Sequence, residues 1–204
     1  MNISSVSFSY SKNSMSYRGL LLMDKYLKFS DIIKIDIPIC DSNKSDGNVP
    51  EEVNIFCDKL FKADILVFSI PEATAHYSAA FKNAMDWLVV KSNFNADLGQ
   101  KYPISNKSLY VITFTPVYKN AGHRHFKMTK HLLQDKLGAD VKNMFVKNYG
   151  WDNVIPHNYK FVYNECQEIL NTTPPTIVEK EKNMRDDINT WNKQYDEWNL
   201  KWQN

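Results

Sequence analysis

The chain has 204 residues, 43% of them apolar and 24% charged, a balance suited to a globular protein with one substantial core. Its formal net charge of +2, from 25 basic and 23 acidic residues, provides no overall field for nucleic acid, and no apolar run approaches the roughly 20 residues of a membrane span. Gly19, Gly47, Gly99, Gly122, Gly138 and Gly150 are the only glycines and cannot form G-x-G-x-x-G or G-x-x-x-x-G-K-[ST], so a phosphate would have to be held by something other than a glycine loop.

In chain order, Ile3 to Phe8 reads as a short strand running into the polar stretch SYSKNSMS. Leu20, Leu21, Met23 and Leu27 keep near-helical spacing over 16–27, with Ser16 as the expected N-cap. DIIKIDI (31–37) predicts a second strand ended by Pro38, and a polar loop closes at Pro50. Val53, Phe56, Cys57 and Leu60 then share a face of a helix over 51–62. The continuous apolar run ADILVFSI (63–70) is the mark of a strand covered on both faces, and Pro71 stops it. A helix is expected over roughly 76–90 and a fourth strand at 108–114. Pro116 and Gly122 bracket the next loop, a helix over 123–137 ends at Gly138, and a fifth strand falls near 141–146.

This alternation predicts an open α/β sheet, with ligands beyond the carboxyl ends of the strands and the informative loops after strands one, three and four. Residues 147–175 carry several aromatics among polar residues and have no clear period, whereas Ile177, Met184, Ile188, Trp191, Tyr195, Trp198 and Trp202 form an apolar seam on a mostly charged helical pattern. Cys40, Cys57 and Cys166 form no CxxC pair and are odd in number, which disfavours a disulfide framework or zinc site and fits a reducing compartment. With no basic leader or apolar stretch at the N-terminus, the expected location is the cytoplasm.

The first loop sets Ser9, Ser11, Ser14 and Ser16, with Lys12, between a buried strand and a helix start. Hydroxyls, backbone N–H groups and the positive helix end suit an anion there, and the same serines also suit ordinary turns and caps. The basic stretch Val117 to Gln134 contains Lys119, Arg124, Lys127, Lys130 and three histidines without an acid, which fits either an anionic substrate or a solvated helix face. His123 and His125, two residues apart, would point to different sides and make a poor metal pair, so no metal is expected. Cys57, on an apolar helical face, reads as a buried inert thiol.

The third loop and its helix, SIPEATAHYSAAFKNAMDWL (69–88), resemble the flavodoxin-like NAD(P)H-dependent FMN reductases. Members carry Pro-Glu-Tyr-Asn leading into Leu-Lys-Asn-Ala-Ile-Asp-Trp-Leu. Pro71 and Glu72 stand in place, Ala73 and Thr74 replace Tyr and Asn, and Lys82, Asn83, Ala84, Asp86, Trp87 and Leu88 follow without a gap. The family's first loop, Gly-Ser-x-Arg-x-x-Ser-x-Asn, lies over Phe8 to Ser16. Ser9 and Ser14 match its phosphate-binding serines, while Phe8, Ser11 and Ser16 replace glycine, arginine and asparagine.

The resemblance implies a flavodoxin-like three-layer α/β/α sandwich with a five-stranded parallel sheet over 1–146. Residues 147–204 are then an irregular segment and a C-terminal helical extension packing on the domain or a dimer partner. It further implies FMN as cofactor, NAD(P)H as co-substrate, a small-molecule electron acceptor and a homodimer, with Trp87 near the subunit contact. Ser9, Ser11, Lys12, Ser14 and Ser16 would surround the phosphate, backbone groups at Pro71, Glu72, Ala73 and Thr74 would lie beside the ring, and Thr115, Pro116 and Tyr118 would border it from the other side. Hydride transfer belongs to the flavin, so no side chain is expected to serve as acid or base. A redox-inert flavodoxin-like binding or regulatory protein is the alternative.

Overall fold

β-Branched and aromatic runs bounded by polar turns fold into parallel strands in a computed structural model, which describes residues 1–41, 43, 49–92, 101–116, 121–148 and 159–173. β1 (Ile3–Ser7), β2 (Asp31–Lys34), β3 (Ile65–Ser69), β6 (Ser108–Thr115) and β7 (Asp140–Asn148) form one sheet in the order β2-β1-β3-β6-β7. Between β3 and the next helix, β4 (Glu72–Ala73) and β5 (His76–Tyr77) make a two-stranded antiparallel hairpin. All pairings in the large sheet are parallel, with Val6 beside both Ile33 and Phe68, and Phe68 beside Val111. This is the flavodoxin-like architecture expected from the sequence.

Strand alternation sorts the core into two layers. On one face, Val6, Phe8, Leu66, Phe68, Ile70, Leu109 and Val111 pack under α2 (Glu51–Lys62) and α3 (Ala79–Val90). On the other, Ile3, Ile65, Val67, Tyr110, Ile112 and Phe114 pack under α1 (Met15–Leu27) and α5 (Tyr163–Leu170). Gly19 lets α1 settle onto the sheet, since a Cβ there would meet the Phe114 ring at 2.2 Å.

Several boundaries differ from the periodic reading, each for a local reason. The N-cap of α1 is Ser14, whose hydroxyl accepts from the Tyr17 N–H at 3.1 Å; Ser16 lies inside the first turn. Positions 76–78 belong to the hairpin and to the Ser78 cap, so α3 starts at Ala79. The helix expected over 123–137 is α4 (Phe126–Lys130) continuing as a π-helical segment, His131–Lys136. Within the unassigned stretch, Tyr159–Val162 is a 3-10 turn leading into α5, which buries Cys166 and Ile169 in the core with α1. The C-terminal seam from Ile177 to Trp202 lies outside the described residues. Among the described residues no helix is long and apolar enough to cross a membrane.

Candidate functional site

β1 and β3 are neighbours, but the chain leaves β1 for α1 on one face and β3 for α3 on the other. Their carboxyl ends are therefore the topological switch point, the usual ligand position in such sheets. The loops after β1, β3 and β6 meet at this edge.

In the first loop Ser9 is half-buried, and its Oγ accepts from the Ser11 N–H at 3.3 Å. Ser11 and Lys12 are exposed, whereas Ser14 and Ser16 are buried. Helix geometry leaves the N–H groups of Met15 and Ser16 without intrahelical acceptors. Oγ of Ser16, a residue 1% exposed, has no hydrogen-bond partner among the described residues. Ser7 and Ser69 are register partners at the carboxyl ends of β1 and β3, and their buried hydroxyls are partnerless too. Both alternate with residues that face α2 and α3, so they lie on the α1 side. Such groups are costly to bury unpaired. Hydroxyls lacking partners beside an open helix N-terminus are the donor set that a phosphate ester takes, so these residues fit the phosphate end of FMN.

Phe8, where related loops carry glycine, does not fill the loop. Its side chain is 0% exposed and meets Phe68 and Phe81 edge-on at 4.9 and 5.2 Å. Its carbonyl accepts from the Ser78 hydroxyl at 2.7 Å, fastening the cap of α3 to the end of β1.

Pro71 is half-buried, and Ala73 and Thr74 are exposed on the hairpin. Thr74 and Ala75 both hold positive φ, 48° and 61°, as a two-residue hairpin turn demands. Oε2 of Glu72 accepts from the Gly122 N–H and Oε1 from Nε of Arg124, so its carboxylate joins two loops. Thr115 is buried at the end of β6 and Pro116 is exposed; Tyr118 lies outside the described residues.

The motif residues of α3 hold the segment after β2. Asn83 accepts from the Cys40 N–H at 2.7 Å and donates to the Pro38 carbonyl at 2.9 Å and to the Tyr10 hydroxyl at 3.2 Å. Nε1 of Trp87 donates to the same carbonyl at 2.8 Å. Trp87 is fully buried, which makes it core of its own chain and not an exposed subunit contact.

His123 is exposed and His125 buried, on different sides as their spacing predicts. The Thr113 hydroxyl gives its proton to the Ile70 carbonyl at 2.8 Å, so Nε2 of His125 must be the donor in its 3.1 Å bond to Thr113. Nδ1 is then the acceptor for the Thr129 hydroxyl at 2.9 Å. Burial, with His76 and His123 adding to it, lowers the His125 pKa to about 4 and keeps the ring neutral. Cys57 and Cys166 are pushed up to about 12 by burial and supply no nucleophile.

Sequence reasoning placed the three loops but missed what ties them: Ser78, Asn83, Gly122, Arg124 and the Thr113–His125 pair. Ser78 had a visible signal, a capping serine ahead of an apolar period, and Asn83 stood within the matched motif, but nothing local showed what either would bond.

The chain matches the model of a family described as NADPH-dependent FMN reductase over residues 3–147. No curated protein sequence matches it. Among solved structures it resembles FerB, a flavoenzyme NAD(P)H:(acceptor) oxidoreductase from Paracoccus denitrificans, at TM-score 0.58 and 16% identity, covering 89% of this chain and 97% of that one. The Trp repressor binding protein from Bacillus subtilis gives TM-score 0.59 and 15% identity over 84% of this chain and 100% of that one. An NAD(P)H:quinone oxidoreductase from Methanothermobacter marburgensis gives 0.55 and 16% over 85% and 98%. At such identities these likenesses speak for the fold.

Proposed function

The chain belongs to the NADPH-dependent FMN reductase family, and on that premise we propose that it is an NAD(P)H oxidoreductase for a small acceptor: a quinone, an azo or nitro compound, a metal oxyanion or free flavin. Family membership makes it an enzyme with FMN as cofactor and NAD(P)H as co-substrate. Bound FMN would supply the redox chemistry, hydride acceptance from the nicotinamide and electron delivery to the acceptor. The chain's own residues bind and orient. Ser9, Ser11, Lys12, Ser14 and Ser16 receive the phosphate. Backbone groups of Pro71, Glu72, Ala73 and Thr74 would flank one edge of the ring, and those of Thr115 and Pro116 the other. Exposed Ala73 and Thr74 leave room for nicotinamide and acceptor to use the same face in turn. The same reading includes a homodimer acting in the cytoplasm.

The observation that carries this reading is the buried hydroxyl of Ser16, without a partner among the described residues, in the first turn of the helix that follows β1. Titrating the purified protein with FMN should quench flavin fluorescence at micromolar concentrations, and anaerobic NADH or NADPH should then bleach the visible band. Absence of quenching would sink the flavin reading. Binding without bleaching by either nicotinamide would favour a redox-inert binding protein.

A further inference from the structure

Glu72 occupies a motif position expected beside the flavin, yet its side chain is 3% exposed and both oxygens are engaged by donors from another loop. A carboxylate so buried persists as a charge only where it is paired and hydrogen-bonded. Arg124, half in solvent, supplies the pairing. Gly122 supplies the hydrogen bond, and its geometry is specific: φ is +89°, and a Cβ there would lie 2.7 Å from Cγ1 of Val146. Only glycine lets this backbone sit against β7 in that conformation. A second tie runs beneath, where Thr113 at the end of β6 donates to the Ile70 carbonyl just after β3.

Resting on the flavin reading above, we propose that the Glu72 side chain has a positioning role and does not itself touch the cofactor: it fastens the loop after β3 to the loop after β6, so that the backbone on both sides of the ring is set before FMN arrives. A loop ordered in advance spares binding the cost of ordering it. The strained turn at Thr74 and Ala75 makes this function necessary, because the hairpin lacks the turn residues that would hold its shape unaided.

The test uses the full chain and two readouts. In protein without FMN, Glu72→Ala should speed amide hydrogen exchange at least tenfold over 71–77 and 121–125, and in parallel FMN affinity should fall at least tenfold. Glu72→Gln keeps an oxygen for the Gly122 N–H and should restore both to within about threefold of wild type. Arg124→Gln, at a half-exposed site, should give a smaller loss in both, and it carries the test if Glu72→Ala does not fold. Unchanged exchange in Glu72→Ala would overturn the clasp. Faster exchange with FMN affinity within twofold of wild type would overturn positioning, and so would Glu72→Gln losing FMN affinity as fully as Glu72→Ala while its exchange stays near wild type, since the charge would then serve the ligand and not the clasp. A wild-type chain that binds no FMN overturns the flavin reading instead, and is distinguished because exchange is measured without cofactor.

Discussion

Ser16 separates two roles that serine residues usually mix. Ser14 caps α1, so replacing it would weaken the fold as well as any ligand site. Among the described residues the Ser16 hydroxyl has no partner, so Ser16→Ala should leave the cofactor-free chain as stable or slightly more so, while weakening FMN binding by about 1 kcal/mol or more. Urea unfolding without FMN and a fluorescence titration with it measure the two signs; equal affinity in the variant would take Ser16 out of the site. His125 gives a pH dependence of definite direction. Its folded pKa of about 4 lies below the ordinary 6.5, so the unfolded chain takes up the proton first as pH falls. The stabilisation is complete above pH 6.5 and is lost between 6.5 and about 4, with a slope near 1 kcal/mol per pH unit and a total of about 3 kcal/mol. Urea midpoints from pH 7 to pH 4.5 should show this slope, and His125→Gln should flatten it. The resemblance had set Ser16 among the residues around the phosphate, but its burial, like that of His125, could not be read from the chain alone.

Elements with a strong period were legible: α2 spans Glu51–Lys62 as its apolar positions predict, and the all-buried β3 falls within ADILVFSI. The miss at 76–78 has a physical cause. The hairpin turn places Thr74 and Ala75 at positive φ, where Asn-Gly is the usual choice, so no turn signal stood in the sequence. Tertiary bonds from Glu72 and Ser78 hold what local preference does not. Thr74→Asn with Ala75→Gly should therefore stabilise the chain by about 1 kcal/mol by relieving the left-handed strain. A higher urea midpoint is the expected result, and an unchanged or lower one would show that the turn stores no strain. Long-range polar capping recurs at the opposite edge of the sheet, where buried Lys107 donates to the carbonyls of Phe61 and Ala63 at the end of α2, at 2.5 and 2.7 Å.

Across the whole molecule, two apolar layers enclose one parallel sheet, and α5 seals the face that α1 leaves open. Alternation of apolar runs with helical periods was enough for the α/β class, the five strands and the three loops that gather at one edge, because burial on both faces leaves its mark in local composition. Motif residues at 71–72 and 82–88 were enough for the family. The folded chain decided which partner each polar group finds. It sends the Phe8 ring into the core and away from the first loop, turns Trp87 onto the Pro38 carbonyl, and spends the charge of Glu72 on a loop 50 residues away. Those outcomes depend on contacts between segments far apart in sequence, and a pattern read within a dozen residues holds no record of them.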